Sequence, residues 1–170
     1  IGNHVKAYWQ GLVHGVSGAA PITRFDASRR KTRFACELKD YQSEDYFERK
    51  ELRKMDPCAQ YALVACAEAM QDAQLRLEKE DTARIGVVWG TGIGGLESFE
   101  TNVADFVSSS EPRKVSPFFI TKMIANMSAG HISIKYGLRG PNHTAVSACA
   151  SASNALIDAA QLIQLGHADV

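Results

Sequence analysis

The chain has 170 residues, with 19 lysines and arginines against 19 aspartates and glutamates, so its formal net charge is zero. That length allows one domain with a real core, and the charge balance excludes a global field for nucleic acid or a membrane surface; a charged partner has to be met by a local patch. No apolar run approaches the roughly 18 residues needed to cross a bilayer, and no signal peptide is visible. Cys36, Cys58, Cys66 and Cys149 show neither CxxC spacing nor disulfide density, which fits a reducing, cytoplasmic compartment. The five histidines are scattered, without HExxH or paired spacing, so neither a metal site nor a cofactor is expected.

In chain order, Val5, Tyr8, Trp9, Leu12 and Val13 recur at helical spacing. A loop from Gly15 to Lys31 follows, with the turn-prone Gly18 and Pro21. Phe34, Cys36 and Leu38 alternate with polar residues and predict a strand with one wet face. Ser43 can cap a short charged helix ending near Met55. Asp56-Pro57 supplies an N-cap and a proline at the first helical position for a long helix to about Gln74. Its inner side is expected to carry Tyr61, Ala62, Ala65, Cys66, Ala69 and Met70. Ile85 to Trp89 reads as a buried, parallel, central strand. After a glycine loop comes a helix from about Leu96 to Val107, then a polar loop over 108–114, then a helix from Pro117 through Met127 toward Tyr136. Strands alternating with helices predict an α/β fold.

Gly90-Thr91-Gly92-Ile93-Gly94-Gly95 fits G-x-G-x-x-G after a strand and before a helix, the setting of a dinucleotide site. The ribose-binding acid that should follow about 20 positions on is not properly placed, because Glu111 lies in a Ser/Pro loop with no strand before it. The simpler reading is that these glycines let the backbone turn tightly and approach a neighbouring element. Neither NAD nor ATP is expected to bind there.

Cys149 carries the strongest chemical signal. It stands where the strand residues Thr144-Ala145-Val146 run into a helix, among the small residues Ala148, Ala150, Ser151, Ala152 and Ser153. That is the layout of a nucleophile elbow, in which small neighbours leave the side chain open. The free N–H groups of a helix's first turn also favour an anion, and hence a thiolate. A buried structural cysteine is the competing reading. The helix from Ala150 to Leu165 has Asp158 as its only charge and reads as buried on most sides, with Gly166 ending it.

Several ordered segments, 21–26, 53–56, 86–95, 112–119 and 126–141, together with Ser147-Ala148-Cys149-Ala150-Ser151, resemble the N-terminal half of the bacterial beta-ketoacyl-acyl-carrier-protein synthases of type II. The resemblance runs nearly end to end. It implies a thiolase-type fold, layered α-β-α-β-α, that dimerises, with residues 1–170 forming most of an N-terminal half-domain truncated at both ends. Ile1 in place of a starting Met, and an end at Ala168-Asp169-Val170 where a new strand would begin, agree with a part of a larger protein.

The resemblance also implies a reaction. Cys149 takes an acyl chain from a carrier-protein thioester, and decarboxylation of malonyl-carrier protein yields a carbanion that attacks the acyl-cysteine. The Cys149 N–H would be one oxyanion donor. The two histidines and the lysine of the family's decarboxylation step belong to its C-terminal half, so the chain alone is expected to be inactive; His131 is expected to be a packed or hydrogen-bonded helix residue. Ile93, Phe119 and Ile120 would shape the acyl pocket, the last two across a dimer interface. Lys50, Arg53, Lys54, Arg113 and Lys114 would dock the acidic acyl-carrier protein. Alternatives are a polyketide ketosynthase domain, and a non-catalytic partner of the chain-length-factor type, against which Cys149 argues.

Overall fold

His4 caps the first helix, α1 (Val5–Val13), its Nδ1 accepting a hydrogen bond from the Ala7 N–H at 3.3 Å. The computed structural model describes residues 1–109 and 115–170, and the chain forms two units, Ile1–Asp45 and Tyr46–Val170. In the first unit α1 forms where its periodicity predicts. Val5, Tyr8, Trp9, Leu12 and Val13 are nonetheless all exposed, and the buried position is Gly11, which meets Ile1.

β1 (Ala20–Pro21) and β2 (Phe34–Ala35) pair antiparallel for only two residues each. Phe34, Cys36 and Leu38 are exposed, whereas Ala35 and Glu37 are half-buried, the reverse of the expected parity. Glu37 supplies the reason, because its carboxylate accepts from the Thr23 N–H and from Thr23 Oγ1, the latter at 2.7 Å. With period two, turning one residue inward turns its neighbours out. Cys36, placed by that alternation on the dry face of the strand, is therefore exposed.

Ser43 opens a 3₁₀ turn (Ser43–Asp45) rather than capping a helix; its hydroxyl donates to the Glu44 carboxylate. The helix is shorter and starts later, as α2 (Arg49–Leu52), where Glu48 and Glu51 close a capping box.

In the second unit Asp56 and Pro57 start α3 (Pro57–Asp72) as expected, with the Cys58 N–H donating to Asp56 Oδ1 at 2.9 Å. The core gathers Phe47, Met55, Ala59, Ala62, Leu63 and Ile132. The fully buried residues of α3 all lie in its N-terminal half; Ala65 and Ala69, expected inside, are exposed, and Tyr61, Cys66 and Met70 are half-buried. Burial raises the Cys66 thiol pKa, the Lys135 charge opposing it more weakly.

β3 (Val87–Gly90) follows, then α4 (Leu96–Ser108). The single helix expected from Pro117 is two, α5 (Phe119–Met123) and α6 (Met127–Tyr136), with Ile124 in extended conformation between them. β4 (Asn142–Ala145) then lies parallel to β3, from Val87↔Asn142 to Gly90↔Ala145. After a 3₁₀ turn (Ala148–Ala150) the last helix, α7 (Ser151–Gln164), begins. Gly166, at φ 70°, ends it as expected: the His167 N–H donates to Leu162 and the Gly166 N–H to Ile163, a Schellman closure.

Successive residues of β4 identify the layers. Asn142 donates to Ala129 and Ser133 of α6, whereas His143 stands 3.5 Å from Asp158 of α7. Alternate side chains leave opposite faces of a strand, so α6 and α7 sandwich the strand pair, an α-β-α arrangement. Val87 and Trp89 pack on the core from the α6 side. α7 is not buried on most sides: only Ser151 and Ala155 are buried, and Leu156 is 73% exposed. One face meets β3 and β4, and Leu156, Ile157 and Ile163 are exposed.

Candidate active site

Because β3 and β4 are parallel and in register, their carboxyl ends, Gly90 and Ala145, finish side by side. The glycine loop and the Cys149 turn therefore leave the sheet from the same edge, the usual place for a site in an α/β sheet. The Thr91 N–H donates to the Ala145 carbonyl at 3.2 Å. A Cβ at Gly92 would touch Ala148, its nearest atom the carbonyl oxygen at 3.6 Å.

Three glycines stand where backbone comes too close for a side chain. A Cβ on Gly90 would overlap the Ser151 carbonyl at the start of α7, and one on Gly95 would overlap the Lys122 carbonyl of α5. Gly94, at φ 98°, would place a Cβ 2.8 Å from the Met123 carbonyl. The loop is thus wedged between the Cys149 turn and the end of α5. The N-terminus of α4, where a dinucleotide's pyrophosphate would sit, already holds a carboxylate: the Ser98 N–H donates to Asp56 Oδ2 at 2.9 Å. A second anion there would be repelled.

Cys149 lies in the 3₁₀ turn, two residues before the first residue of α7, and is exposed. The residue in the left-handed region is its neighbour Ala148, at φ 50°. The turn is held from inside. Ser151 Oγ accepts from the Ser147 N–H at 2.9 Å and donates to the Ala148 carbonyl at 2.7 Å, and Asn154 Nδ2 donates to Ser147 Oγ at 2.7 Å. The Ala150 N–H donates back to Ser147 at 3.0 Å. Among the described residues no hydrogen bond uses the N–H of Cys149.

The other expected site residues separate into groups. Ile93 is exposed on the glycine loop, next to the residue that touches the Cys149 turn. Phe119 and Ile120 lie on α5, whose C-terminal end supports the same loop through the Gly95 N–H and the Met123 carbonyl at 3.0 Å. Phe119 stacks on Phe99 of α4, ring centroids 6.4 Å apart, and Ile120 is exposed. Lys50, Arg53 and Lys54 are exposed together on and just after α2. Arg113 and Lys114 lie outside the described residues.

His131 is packed in α6, but its Nε2 has no hydrogen-bond partner. Burial pushes its pKa down, the Lys54 charge adding to the effect. Among the described residues no group of three or more His, Cys, Asp or Glu side chains could hold a metal ion, and no helix is long and apolar enough to cross a membrane.

Two features are not readable as site elements from residue types alone. Asp56, 3% exposed, caps α3 with one oxygen and holds the first turn of α4 with the other. Ser151 and Asn154 pin the Cys149 turn. Serine and asparagine at a helix start signal a local backbone bond, but the spacing does not say which group is bound.

The family model described as beta-ketoacyl synthase, N-terminal domain, matches residues 1–170. The chain is 43% identical over 169 residues to a Staphylococcus aureus protein named 3-oxoacyl-[acyl-carrier-protein] synthase 2, covering 99% of this chain and 42% of that one. It is 44% identical over 168 residues to a Synechocystis protein of the same name, covering 99% and 40%. The chain thus spans about two fifths of the length of these relatives. Among solved structures it is similar to the ishigamide ketosynthase/chain length factor, with TM-score 0.88 and 25% identity over 99% of this chain and 42% of that one. It is also similar to a type II PKS ketosynthase solved with its acyl-carrier protein, with TM-score 0.71 and 25% identity over 77% and 38%. The fold is the layered, thiolase-like α/β fold of these ketosynthases. The chain belongs to the beta-ketoacyl synthase family, by its N-terminal domain.

Proposed function

We propose that the intact protein is a beta-ketoacyl-acyl-carrier-protein synthase of fatty acid synthesis in which Cys149 is the nucleophile, residues 1–170 forming most of its N-terminal half-domain. The observation that carries the reading is an exposed thiol on a strained, internally bonded turn at the carboxyl edge of parallel strands. The Cys149 thiol gives its proton to solvent, and the thiolate attacks the carbonyl of an acyl-carrier-protein thioester; the new C–S bond forms, the old one breaks, and the departing carrier thiolate takes up a proton. Malonyl-carrier protein then loses CO₂, and the electrons of the broken bond become an enolate. Its carbon attacks the acyl-cysteine, expelling the Cys149 thiolate and giving a 3-oxoacyl-carrier protein two carbons longer. Thiolate suits both steps, as nucleophile and as leaving group. The Cys149 N–H, unused by any described residue, would donate to the oxyanion in each.

Ile93 would line the acyl channel, because its loop abuts the Cys149 turn; Phe119 and Ile120 would continue it from α5. Lys50, Arg53 and Lys54, with Arg113 and Lys114, would meet the acidic carrier protein, and a ketosynthase of the same fold has been solved with its own carrier protein. A cytoplasmic location is supported by four free cysteines. A homodimer is supported by apolar residues left exposed on α4, such as Phe106 at 67%. Fatty acid rather than polyketide synthesis is favoured by the 43% identity to a protein named 3-oxoacyl-[acyl-carrier-protein] synthase 2, against 25% to the polyketide ketosynthase. Incubating the full-length protein with carrier protein loaded with an acyl thioester and mapping the acyl label by mass spectrometry tests the reading. The acyl group is expected on Cys149, and a label elsewhere overturns it.

A further inference from the structure

We propose that Ser151, with Asn154 behind it, is a positioning residue that aims the Cys149 N–H at the reacting carbonyl, an inference that rests on Cys149 being the nucleophile. The peptide linking Ala148 to Cys149 carries both the Ala148 carbonyl and the Cys149 N–H. No described peptide bond is cis, so in this planar trans unit the two groups point in opposite directions. Whatever fixes the carbonyl fixes the N–H. Ser151 Oγ donates to that carbonyl at 2.7 Å while accepting from the Ser147 N–H at 2.9 Å, so one hydroxyl ties the Ala148–Cys149 peptide to the Val146–Ser147 peptide across the turn.

That grip matches a need of the backbone. Ala148 sits at φ 50°, a conformation that is strained for a residue with a Cβ and persists only where its surroundings over-determine it. Ser151 is 3% exposed, so water does not compete for its hydroxyl. It is the first residue of α7, whose start is set close against Gly90 at the end of β3. Asn154, one turn later, donates to Ser147 Oγ at 2.7 Å and ties the far side of the turn to the same helix. The turn is therefore referenced to the sheet through α7. A hydrogen bond accepted by an amide carbonyl also polarises that amide, so the Ser151 hydroxyl strengthens the donor it aims.

Two reactions of the same sulfur separate aiming from mere support. Acyl transfer builds charge on a carbonyl oxygen and needs the donor; displacement of iodide from iodoacetamide builds none. In the full-length protein Ser151→Ala is expected to slow acyl transfer from acyl-carrier protein to Cys149 by about ten- to hundredfold, the range for a lost or misplaced oxyanion donor. Alkylation of Cys149 by iodoacetamide should change less than about threefold, and Ser151→Thr, which keeps the hydroxyl, should restore acyl transfer to within about threefold. Equal loss in both reactions, no loss in either, or a Thr variant as slow as the Ala variant overturns the proposal. If Ser151→Ala does not fold, Asn154→Ala carries the same test: acyl transfer should fall more than alkylation, and equal rates overturn it. Cys149→Ala keeps the two readings apart. Acyl label persisting in that variant removes the nucleophile assignment and this proposal with it; label lost there but unaffected in Ser151→Ala removes this proposal alone.

Discussion

The starts of α3 and α7 each place a cysteine beside the first turn of a helix, and the two sites differ in almost every other respect. At α3 the cap is Asp56, whose carboxylate takes N–H groups from both α3 and α4, and the Cys58 sulfur is half-buried, 3.5 Å from Ser128 Oγ and 3.9 Å from Thr91 Oγ1. At α7 the cap position is Ala150, with no side-chain bond, and the Cys149 sulfur is exposed. The polar side chains there bind the backbone of the turn instead of the helix end. A helix start alone therefore does not make a nucleophile. An anion already seated at the helix end, and neighbours closing over the sulfur, turn the same placement into a structural residue.

The largest effect is expected at the closed site. Asp56→Ala strips one cap from two helices and leaves buried N–H groups at Cys58 and Ser98, so it should cost about 2–4 kcal/mol by urea denaturation. A loss below about 1 kcal/mol would mean that Asp56 is not what distinguishes the α3 start. Gly95→Ala drives a Cβ into the Lys122 carbonyl and should cost about 2 kcal/mol by the same measurement. At the open site effects should fall on reactivity instead. Ile93→Phe is expected to slow transfer of long acyl chains at least about tenfold while short ones are still accepted; equal loss at all lengths would point to misfolding. Charge reversal at Arg53 and Lys54 should slow reaction with carrier protein about three- to tenfold at low salt, and less at high salt. Unchanged kinetics would remove α2 as the dock.

The smallest effect is one of pH. His131 titrates below its usual value in the folded chain, so the unfolded chain binds the proton more readily. Its contribution is fully present above the unfolded histidine value and is lost as pH falls through the folded one. Stability measured by denaturation should thus decline on acidification by more in the parent than in His131→Asn.

Local chemistry was legible in the sequence where one residue decides the outcome. Asp56-Pro57 starts a helix as its residue types dictate, and the apolar run 85–89 gives a parallel strand, although β3 is half-buried and, among the described residues, pairs only with β4 instead of lying centrally. Legibility failed where a distant partner decides. Glu37 inverts the parity of its strand by binding Thr23 fourteen residues away, and a break at Ile124 splits one expected helix at the place where the glycine loop seats. The turn around Cys149 was expected, but its internal bonds were not, because Ser and Asn can bind any of several backbone groups. Cys36, on the face that the alternation turns inward, is exposed for the same reason.

Exposure of Cys36 bears directly on the decisive measurement. Two cysteines, Cys36 and Cys149, are exposed, so openness by itself does not single out the nucleophile. Limited iodoacetamide treatment of the folded full-length protein at neutral pH, read by peptide mass spectrometry, compares all four sulfurs at once. Cys149 is expected to be labelled first, and acyl-carrier protein added beforehand should protect it while leaving Cys36 unprotected. Faster labelling of Cys36 or Cys58, or protection that does not fall on Cys149, would contradict the assignment of Cys149 as the nucleophile.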